Sequence, residues 1–216
     1  MKKAVFINGS PRKNKNTAQM LQKAMEGAKL AGAEVKMYNL YEHDYKGCLS
    51  CFACKRKGNK ANGLCAIKDG LHEILEEVVN ADVLVVGSPV YDSFPTGMTR
   101  SFIERLVFPA VNYNDYKSPT RRKKLRCGTI YTMNAPENLM KSIHYDVILG
   151  ESASVLDIFG YPSEMLCSYE TYQFNDYSKY ETAFDEKERA HIKATRFPID
   201  LHKAFEMGKR LVELAE

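Results

Sequence analysis

Short apolar runs alternate along this chain with longer stretches in which apolar residues recur every three or four positions. The short runs end at glycine, proline, asparagine or aspartate, which is typical of strands. Strands are predicted at residues 4–8, 34–40, 82–87, 125–133 and near 164–169. From Val83 to Val86 the apolar residues do not alternate with polar ones, so this strand is predicted to be buried on both faces, as in the middle of a parallel sheet.

The stretches between the strands have the period of amphipathic helices. The first helix is predicted from Thr17 to about residue 30, with Asn16 or Thr17 as its cap. Asp69 is predicted to cap the second helix, a third follows residue 95, a fourth runs from Asn134 towards residue 160, and a last one starts at Pro198. Strands that alternate with helices predict an α/β fold, with a doubly wound parallel sheet of five strands and helices on both faces.

The composition narrows the class of protein further. Of the 216 residues, 44% are hydrophobic and 27% are charged, which is typical of soluble globular proteins and argues against disorder and coiled coils. At this length we expect a single domain, residues 1–216. A net charge of +4 is too small to indicate a nucleic-acid partner. No apolar run is long enough to span a membrane and no export signal is recognised, so we expect a cytoplasmic protein without a membrane partner.

Small and polar residues follow the first predicted strand, from Gly9 to Thr17. In an open parallel sheet, ligands bind outside the carboxyl ends of the strands. Backbone N–H groups of such a turn, with the N-terminus of the next helix, can bind a phosphate, and Arg12 can complete the site. The loop lacks the glycine spacing of Walker and dinucleotide-binding loops. The alternative is an ordinary strand-to-helix turn with a solvated basic rim.

Two further strand ends have sequences suited to a flat ring. After the third strand, residues 87–97 combine prolines with Tyr91 and Phe94, which offer flat apolar surfaces. After the fourth strand, residues 131–136 are again small and polar. One loop for a phosphate and two for a ring system describe a mononucleotide with a large base. The alternative is that the aromatic residues only cover the core.

These loops resemble those of the NAD(P)H-dependent FMN reductases, a family with a flavodoxin-like fold. The resemblance rests on Ile7-Asn8-Gly9-Ser10-Pro11-Arg12 with Asn16-Thr17, and on Gly87-Ser88-Pro89-Val90-Tyr91 followed by Gly97 and Ser101-Phe102-Ile103-Glu104-Arg105. It covers roughly residues 2–108 and implies the strand order 2-1-3-4-5. It also implies that FMN is bound, its phosphate by Ser10, Arg12, Asn16 and Thr17 and its ring by Pro89, Val90, Tyr91, Asp92, Ser93, Thr132, Met133 and Asn134.

The resemblance also implies an activity. Members of the family transfer hydride from NADH or NADPH to FMN and pass the electrons to quinones, nitro- or azo-aromatics, free flavins or metal ions, so the flavin carries the chemistry. No catalytic side chain is therefore expected in this chain. The alternative is an electron carrier, an iron–sulfur flavoprotein or a flavodoxin-like protein, that acts between proteins without using NAD(P)H. Flavin sites in the family often lie at subunit contacts, which implies a homodimer or a higher homo-oligomer.

Two segments depart from the strand–helix pattern. Residues 41–68 are predicted as a long loop that carries four cysteines. Residues 171–197 have many charges and few aliphatic side chains, and are predicted as a surface excursion that can touch another subunit. The remaining cysteines, Cys127 and Cys167, fall in predicted strands and are expected in the core.

The spacing of the four loop cysteines leaves three interpretations open. Cys48-x2-Cys51-x2-Cys54 followed by Cys65 resembles the iron–sulfur flavoproteins, a branch of the same family that holds a [4Fe–4S] cluster. The ten residues between Cys54 and Cys65 make a longer gap than in those proteins. Cys65-x3-Asp69 resembles family members without a cluster, and four cysteines also suit zinc. Thiols packed near the flavin without a metal are the preferred interpretation, with a cluster or zinc as alternatives.

Overall fold

One sheet organises the part of the chain that the structure, a computed structural model, describes: residues 1–58, 63–116, 119 and 123–216. Its strands in these residues are β1 (Lys3–Asn8), β2 (Glu34–Asn39), β3 (Val83–Tyr91), β4 (Phe94–Pro95), β5 (Arg126–Thr132) and β6 (Glu164–Ser168). Five are parallel in the order β2-β1-β3-β5-β6, and β4 is antiparallel to β3. The predicted flavodoxin-like sheet is confirmed, and the two-residue strand β4, which the pattern did not predict, is an addition to it.

Helices cover both faces of the sheet, as predicted. In the described residues they are α1 (Asn16–Leu30), α2 (His72–Asn80), α3 (Gly97–Ala110), α4 (Glu137–Ser142), α5 (Tyr145–Ser154), α6 (Glu186–Thr195) and α7 (Phe197–Leu214). The pair α1 and α7 packs on one face against Phe6 and Val85, whereas α2 and α3 pack on the other against Ile7 and Val86. Because successive side chains of a strand point to opposite faces, β3 is buried on both, which explains its unbroken apolar run. No described helix is long and apolar enough to cross a membrane.

The helices α1 and α7 cross closely at two glycines. A Cβ added to Gly27 would lie 2.0 Å from the carbonyl oxygen of Phe205, and one added to Gly208 would lie 1.9 Å from that of Ala24. Only a hydrogen atom fits between the two backbones at these positions. Helix α7 therefore holds α1 against the sheet, and with it the loop that joins β1 to α1.

Two helix starts differ from the prediction. Helix α1 begins after Lys15, whose backbone is extended and whose side chain makes no capping bond, so neither Asn16 nor Thr17 caps it. Helix α2 begins at His72, and Asp69 instead accepts a hydrogen bond from the backbone N–H of Leu71 in the preceding turn (3.1 Å). The side chains of Asn16 and Thr17 have distant partners, which the local sequence does not reveal.

The helix predicted from Asn134 towards residue 160 is divided into three pieces. The first, α4, starts only at Glu137, and His144, with a left-handed φ of 62°, separates it from α5. A 3-10 segment, Val155–Phe159, follows. Asn134 does not cap α4 because its side chain is bonded to residues far along the chain.

The segment 171–197 contains regular structure that the sequence did not predict. It includes a 3-10 turn, Tyr177–Lys179, and α6. Many of its side chains are exposed, but Tyr177 is 6% exposed and Arg189 is 1% exposed. A buried arginine in such a polar segment needs partners, and these lie beside the cavity described next.

Candidate cofactor-binding site

The carboxyl ends of β1, β3 and β5 lie side by side, as the register of the sheet requires. Asn8 pairs with Gly87, and Pro89 pairs with Thr132. The backbone N–H of Gly9 also donates to the carbonyl oxygen of Gly87 (2.8 Å). The three loops identified in the sequence therefore meet at one edge of the sheet, beside the point where the strand order reverses, which is where open α/β sheets bind ligands.

The turn after β1 is held in place by its own hydrogen bonds. The Oδ1 of Asn8 accepts from the backbone N–H of Ser10 (3.1 Å), and the Thr96 hydroxyl donates to the carbonyl oxygen of Gly9 (2.8 Å). No side chain fits at Gly9, because a Cβ there would lie 1.8 Å from the Oγ1 of Thr99. The protein thus fixes the shape of this turn through its own contacts.

The N-terminus of α1 opens into a cavity beside this turn. Because Lys15 makes no side-chain capping bond, no such bond competes with a ligand for the first N–H groups of the helix. Arg12 and Lys15 add positive charge, and the hydroxyls of Ser10 and Thr17 add hydrogen-bond donors. These groups together form the donor set that binds a phosphate. The residues at this end of the cavity therefore fit the phosphate of a mononucleotide.

The cavity continues along the sheet edge as a cleft of about 620 Å³ that is open to solvent. Ten of the twelve predicted FMN-binding residues line it: Ser10, Arg12, Asn16, Thr17, Pro89, Val90, Tyr91, Thr132, Met133 and Asn134. The hydroxyls of Thr17 and Thr132 share a hydrogen bond of 2.7 Å, which joins the phosphate end to the loop after β5. Side chains from loops far apart in sequence therefore face one space.

Asp92 and Ser93 lie outside the lining of this cavity. They form the turn between β3 and β4, with φ angles of 48° and 75°, and Tyr91 pairs with Phe94 across it. The strand folds back on itself at this hairpin, so the lining of the cavity ends at Tyr91.

Residues 171–175 lie over the phosphate end of the cavity and are termed the covering segment. The Arg12 guanidinium donates to the carbonyl oxygen of Gln173 (2.6 Å). The side-chain amide of Asn16 donates to the carbonyl oxygen of Tyr172 (3.0 Å). The covering segment is therefore bonded directly to residues that the sequence assigned to the phosphate.

Three residues that line the cavity were missed by sequence reasoning: Lys15, Thr171 and Gln173. Thr171 and Gln173 follow β6, which is the sheet neighbour of β5. Because neighbouring parallel strands end at the same edge, polar residues after the fifth predicted strand were a usable signal. Lys15 belongs to the predicted phosphate loop, where its charge was a second signal.

A buried arginine fixes two amides at the cavity. Arg189 of α6 donates from Nε to the Oδ1 of Asn134 (3.1 Å) and from Nη1 to a carboxylate oxygen of Glu170 (3.0 Å). Asn134 in turn donates from Nδ2 to the Oε1 of Gln173 (2.8 Å), and Glu170 also accepts from Arg196 (3.0 Å). Because a guanidinium can only donate, it sets the orientation of the Asn134 amide, and through it that of Gln173.

The four cysteines of the loop line a second, smaller cavity next to α3. Cys48 and Cys51 are exposed, Cys54 is half-buried and Cys65 is buried. Four thiols are, by residue type, the ligands of a [4Fe–4S] cluster or of zinc, but these four described side chains are not arranged as a ligand group in this structure. Among the residues that the structure describes, no three His, Cys, Asp or Glu side chains are grouped as ligands of one metal ion. Residues 59–62 of this loop lie outside the described residues.

Arg105 links this second cavity to the body of the fold. It is 1% exposed, donates from Nε to the Sγ of Cys65 (3.3 Å) and pairs through Nη1 with Asp69 (2.5 Å). Burial alone would raise the pKa of Asp69, but the hydrogen bonds from Arg105 and from the backbone of Leu71 outweigh it and hold that pKa below its usual range. The ionised Asp69 fixes Arg105, so a positively charged donor faces the sulfur of Cys65.

The two other cysteines lie in strands, as predicted. Cys127 in β5 is fully buried, and Cys167 in β6 is largely buried. Burial raises the pKa of the Cys167 thiol to about 11, so it is a neutral thiol at physiological pH. Neither residue lines the two cavities described above.

The fold and the cavity at its edge define the flavodoxin-like class of α/β proteins, in which the ligand lies beside the first and third strands of the sheet. Residues 2–130 match the family model of NADPH-dependent FMN reductases, which is more than half of the chain. The chain belongs to this family, and the resemblance stated from the sequence is confirmed.

Relatives of this chain include iron–sulfur flavoproteins. The chain is 35% identical over 103 residues to an iron–sulfur flavoprotein of Archaeoglobus fulgidus, which is 48% of this chain and 48% of that protein. It is 30% identical over 112 residues to an iron–sulfur flavoprotein of Methanosarcina thermophila, which is 51% of this chain and 56% of that protein. The chain thus spans about half the length of the curated relatives it matches.

Solved structures with the same fold cover nearly the whole chain. An NAD(P)H:quinone oxidoreductase from Methanothermobacter marburgensis superposes with a TM-score of 0.69 at 15% identity, over 97% of this chain and 98% of that chain. An azoreductase from Bacillus anthracis superposes with a TM-score of 0.69 at 12% identity, over 97% of this chain and 100% of that chain. At such identities the likeness shows the fold alone.

Proposed function

We propose that this protein is an FMN-dependent oxidoreductase that takes electrons from NADPH or NADH. It passes them to a small acceptor: a quinone, a free flavin, a nitro- or azo-aromatic compound or a metal ion. The observation that carries the proposal is the cavity at the sheet edge, which is lined both by phosphate-binding donors and by the apolar residues Pro89, Val90, Tyr91 and Met133. Membership of the FMN reductase family supports it. When bound, FMN supplies the hydride-transfer and electron-transfer chemistry.

In this proposal the residues around the β1 turn anchor the cofactor by its phosphate. Arg12 neutralises part of its charge, while Ser10, Thr17 and the N-terminus of α1 donate hydrogen bonds to it. The bond between Thr17 and Thr132 keeps this end at a fixed distance from the loop after β5. The anchor thereby sets how far the ring reaches along the sheet edge.

The loops after β3 and β5 orient the ring. Pro89 has a fixed φ and stiffens one wall, and Tyr91 adds an aromatic surface that is 48% exposed. Met133 is 5% exposed and excludes water on the side of the third loop. Asn134, oriented by Arg189, holds its amide towards the covering segment. No acid–base side chain is required of the protein.

The test of this proposal is binding and turnover by the purified protein. We expect FMN to bind with a visible absorption spectrum, and NADPH or NADH to be oxidised when a benzoquinone is added. A protein that binds no FMN would contradict the proposed function. A protein that binds FMN but oxidises neither nicotinamide with any small acceptor would contradict the enzymatic part and favour an electron carrier.

Replacing Arg12 by alanine is expected to weaken FMN binding by about 1.5–3 kcal/mol, roughly tenfold to a hundredfold, because a charge-assisted contact is lost. The measurement is titration of FMN by the quenching of its fluorescence. Lys13→Ala is the matched control, since Lys13 pairs with Glu42 and does not line the cavity. Equal affinities of the two variants would refute the role of Arg12.

We also propose that the protein acts as a homodimer. Exposed apolar side chains lie on and beside α4 and α5, namely Leu139, Ile143 and Val147, and α5 packs against β4 near the cavity. Exposed apolar patches on folded proteins mark interaction surfaces. Sedimentation equilibrium measures the mass of the assembly, and a monomer at all accessible concentrations would contradict this proposal.

A second candidate function is that of an iron–sulfur flavoprotein that carries electrons between proteins. The observation in its favour is that Cys48, Cys51, Cys54 and Cys65 line one cavity despite the ten-residue gap. In this case the four thiolates would hold the cluster, which supplies one-electron chemistry when bound. Iron and zinc analysis of protein purified without oxygen tests this candidate directly, and the absence of iron, with or without zinc, would contradict it.

If a cluster is held, Cys51→Ser is expected to remove most of the iron while FMN stays bound. Cys51 is exposed, so a serine there does not disturb the core. The measurement is iron content together with the flavin and cluster absorption. Cys167→Ala, on a strand away from this cavity, should keep its iron. Equal iron content in both variants would exclude Cys51 as a ligand.

A further inference from the structure

A third cavity, whose volume of about 840 Å³ includes its open mouth, lies beside the phosphate end of the first one. The two cavities share Arg12, Lys15 and Gln173. The other residues that line it lie at the end of the covering segment or shortly after it: Phe174, Asn175, Asp176, Lys179 and Tyr180. This stretch lies outside residues 2–130, which match the family model. A ligand that enters the first cavity can therefore extend into a site made by a different part of the chain.

The charges around this third cavity suit an anion. Its lining contains three basic side chains, Arg12, Lys15 and Lys179, and one carboxylate, that of Asp176. Both oxygens of that carboxylate are already engaged: Oδ1 accepts from the backbone and hydroxyl of Ser178, and Oδ2 pairs with Lys179 (3.1 Å). The bonds from Ser178 and then Lys179 hold the pKa of Asp176 below its usual range. The cavity therefore keeps a net positive charge.

An aromatic platform forms one side of the same cavity. The ring of Phe174 stacks on that of Tyr180, with centroids 4.4 Å apart and an interplanar angle of 10°. Phe174 also contacts the ring of Tyr177 edge-on at 5.1 Å, and Tyr177 is 6% exposed. Tyr180, by contrast, is 55% exposed. The stack is thus anchored at one end and presents an aromatic ring at the other, as in sites that stack a nucleic-acid base.

We propose that this third cavity binds the adenosine half of NADPH, with the 2′-phosphate at Lys15 and Lys179 and the adenine on Tyr180. The inference rests on the proposed function, because it names the donor for the same flavin. It also predicts a preference for NADPH over NADH. Sites that select NADH use an acidic side chain on the ribose hydroxyls, whereas Asp176 here is occupied by Ser178 and Lys179.

The test uses protein saturated with FMN, so that the flavin site is filled. Adenosine 2′,5′-bisphosphate and adenosine 5′-monophosphate are titrated by calorimetry. We expect the bisphosphate to bind about tenfold more tightly, as one further charge-assisted contact provides. Lys179→Ala should abolish most of this difference. Tyr180→Ala should weaken both ligands about fivefold or more, and Tyr180→Phe should restore them, because every aromatic ring offers a stacking face.

Lys187→Ala is the matched control for charge, since Lys187 is an exposed residue of α6 that does not line the cavity. In turnover, Lys179→Ala should raise KM for NADPH with kcat unchanged, and leave KM for NADH as in the wild type. Equal affinity for the two adenylates, or a Lys179→Ala variant identical to Lys187→Ala, would overturn the proposal. So would binding of the bisphosphate only in the absence of FMN. A failure of the proposed function is seen separately, as a failure to bind FMN.

Discussion

Replacing Arg189 by methionine is expected to destabilise the protein by about 3 kcal/mol, which is the largest effect we predict for a single side chain. The guanidinium is 1% exposed and satisfies both Glu170 and Asn134. Removing it leaves a largely buried carboxylate that keeps Arg196 as its one charged partner among the described residues, and leaves the Asn134 oxygen without its donor. Breaking one side of a buried ion pair costs more than the pair contributes, because the remaining charge stays desolvated.

The measurement for Arg189→Met is the free energy of unfolding in urea, combined with a titration of FMN. Arg196→Met is the matched control: it removes the other partner of Glu170, but this arginine side chain is 35% exposed, so we expect a loss of about 1 kcal/mol or less. Arg189→Lys keeps the charge but loses the paired N–H donors of the guanidinium, so its loss of stability should lie between those of the two methionine variants. Equal stability of Arg189→Met and Arg196→Met would show that the buried network does not stabilise the fold.

Replacing Gly208 by alanine is expected to cost about 2 kcal/mol or more. A helix interior gains about 1 kcal/mol when glycine becomes alanine, so propensity alone predicts stabilisation. The new Cβ would lie 1.9 Å from the carbonyl oxygen of Ala24, which is backbone and cannot rotate away. Helices α1 and α7 must therefore move apart, and packing between them is lost.

Gly150→Ala is the control for this prediction. Gly150 also lies in a helix, α5, but a Cβ added there would have nothing within 4 Å, so only the gain in propensity applies. The free energy of unfolding in urea should therefore fall for Gly208→Ala and rise for Gly150→Ala. We also expect weaker FMN binding by Gly208→Ala, because α1 carries the phosphate loop at its N-terminus. A Gly208→Ala variant as stable as Gly150→Ala would disprove the tight crossing.

The strands could be predicted from the sequence because the apolar pattern within each strand is local, whereas their order was implied by the family resemblance. The run from Val83 to Val86 needs two cores, one on each face of the sheet, and this alone places β3 near the centre. Most of the cavity lining followed from the same logic, since the ends of parallel strands meet at one edge. Asp92 and Ser93 were assigned to the ring through the family resemblance, and the hairpin with β4 places them outside the lining.

The remaining features depend on contacts between residues far apart in the chain. Asn16 was predicted as a helix cap, yet its amide is bonded to Tyr172, 156 positions away. Arg189 lies in a stretch so polar that its sequence indicates a solvated surface, and only the fold shows that it is buried beside Asn134. Helix breaks such as the left-handed His144 likewise have no signal in residue type.

The FMN-binding residues and the covering segment come from separate parts of the sequence. The residues assigned to holding FMN come from the stretches before residue 135, whereas the segment that closes over them comes from residues 171–175. Arg12 and Asn16 bond to backbone carbonyl oxygens of this segment, which any residue type supplies, so substitutions of its side chains keep both of these bonds. Substitutions in the covering segment can therefore change which electron donor reaches the flavin independently of the affinity for FMN.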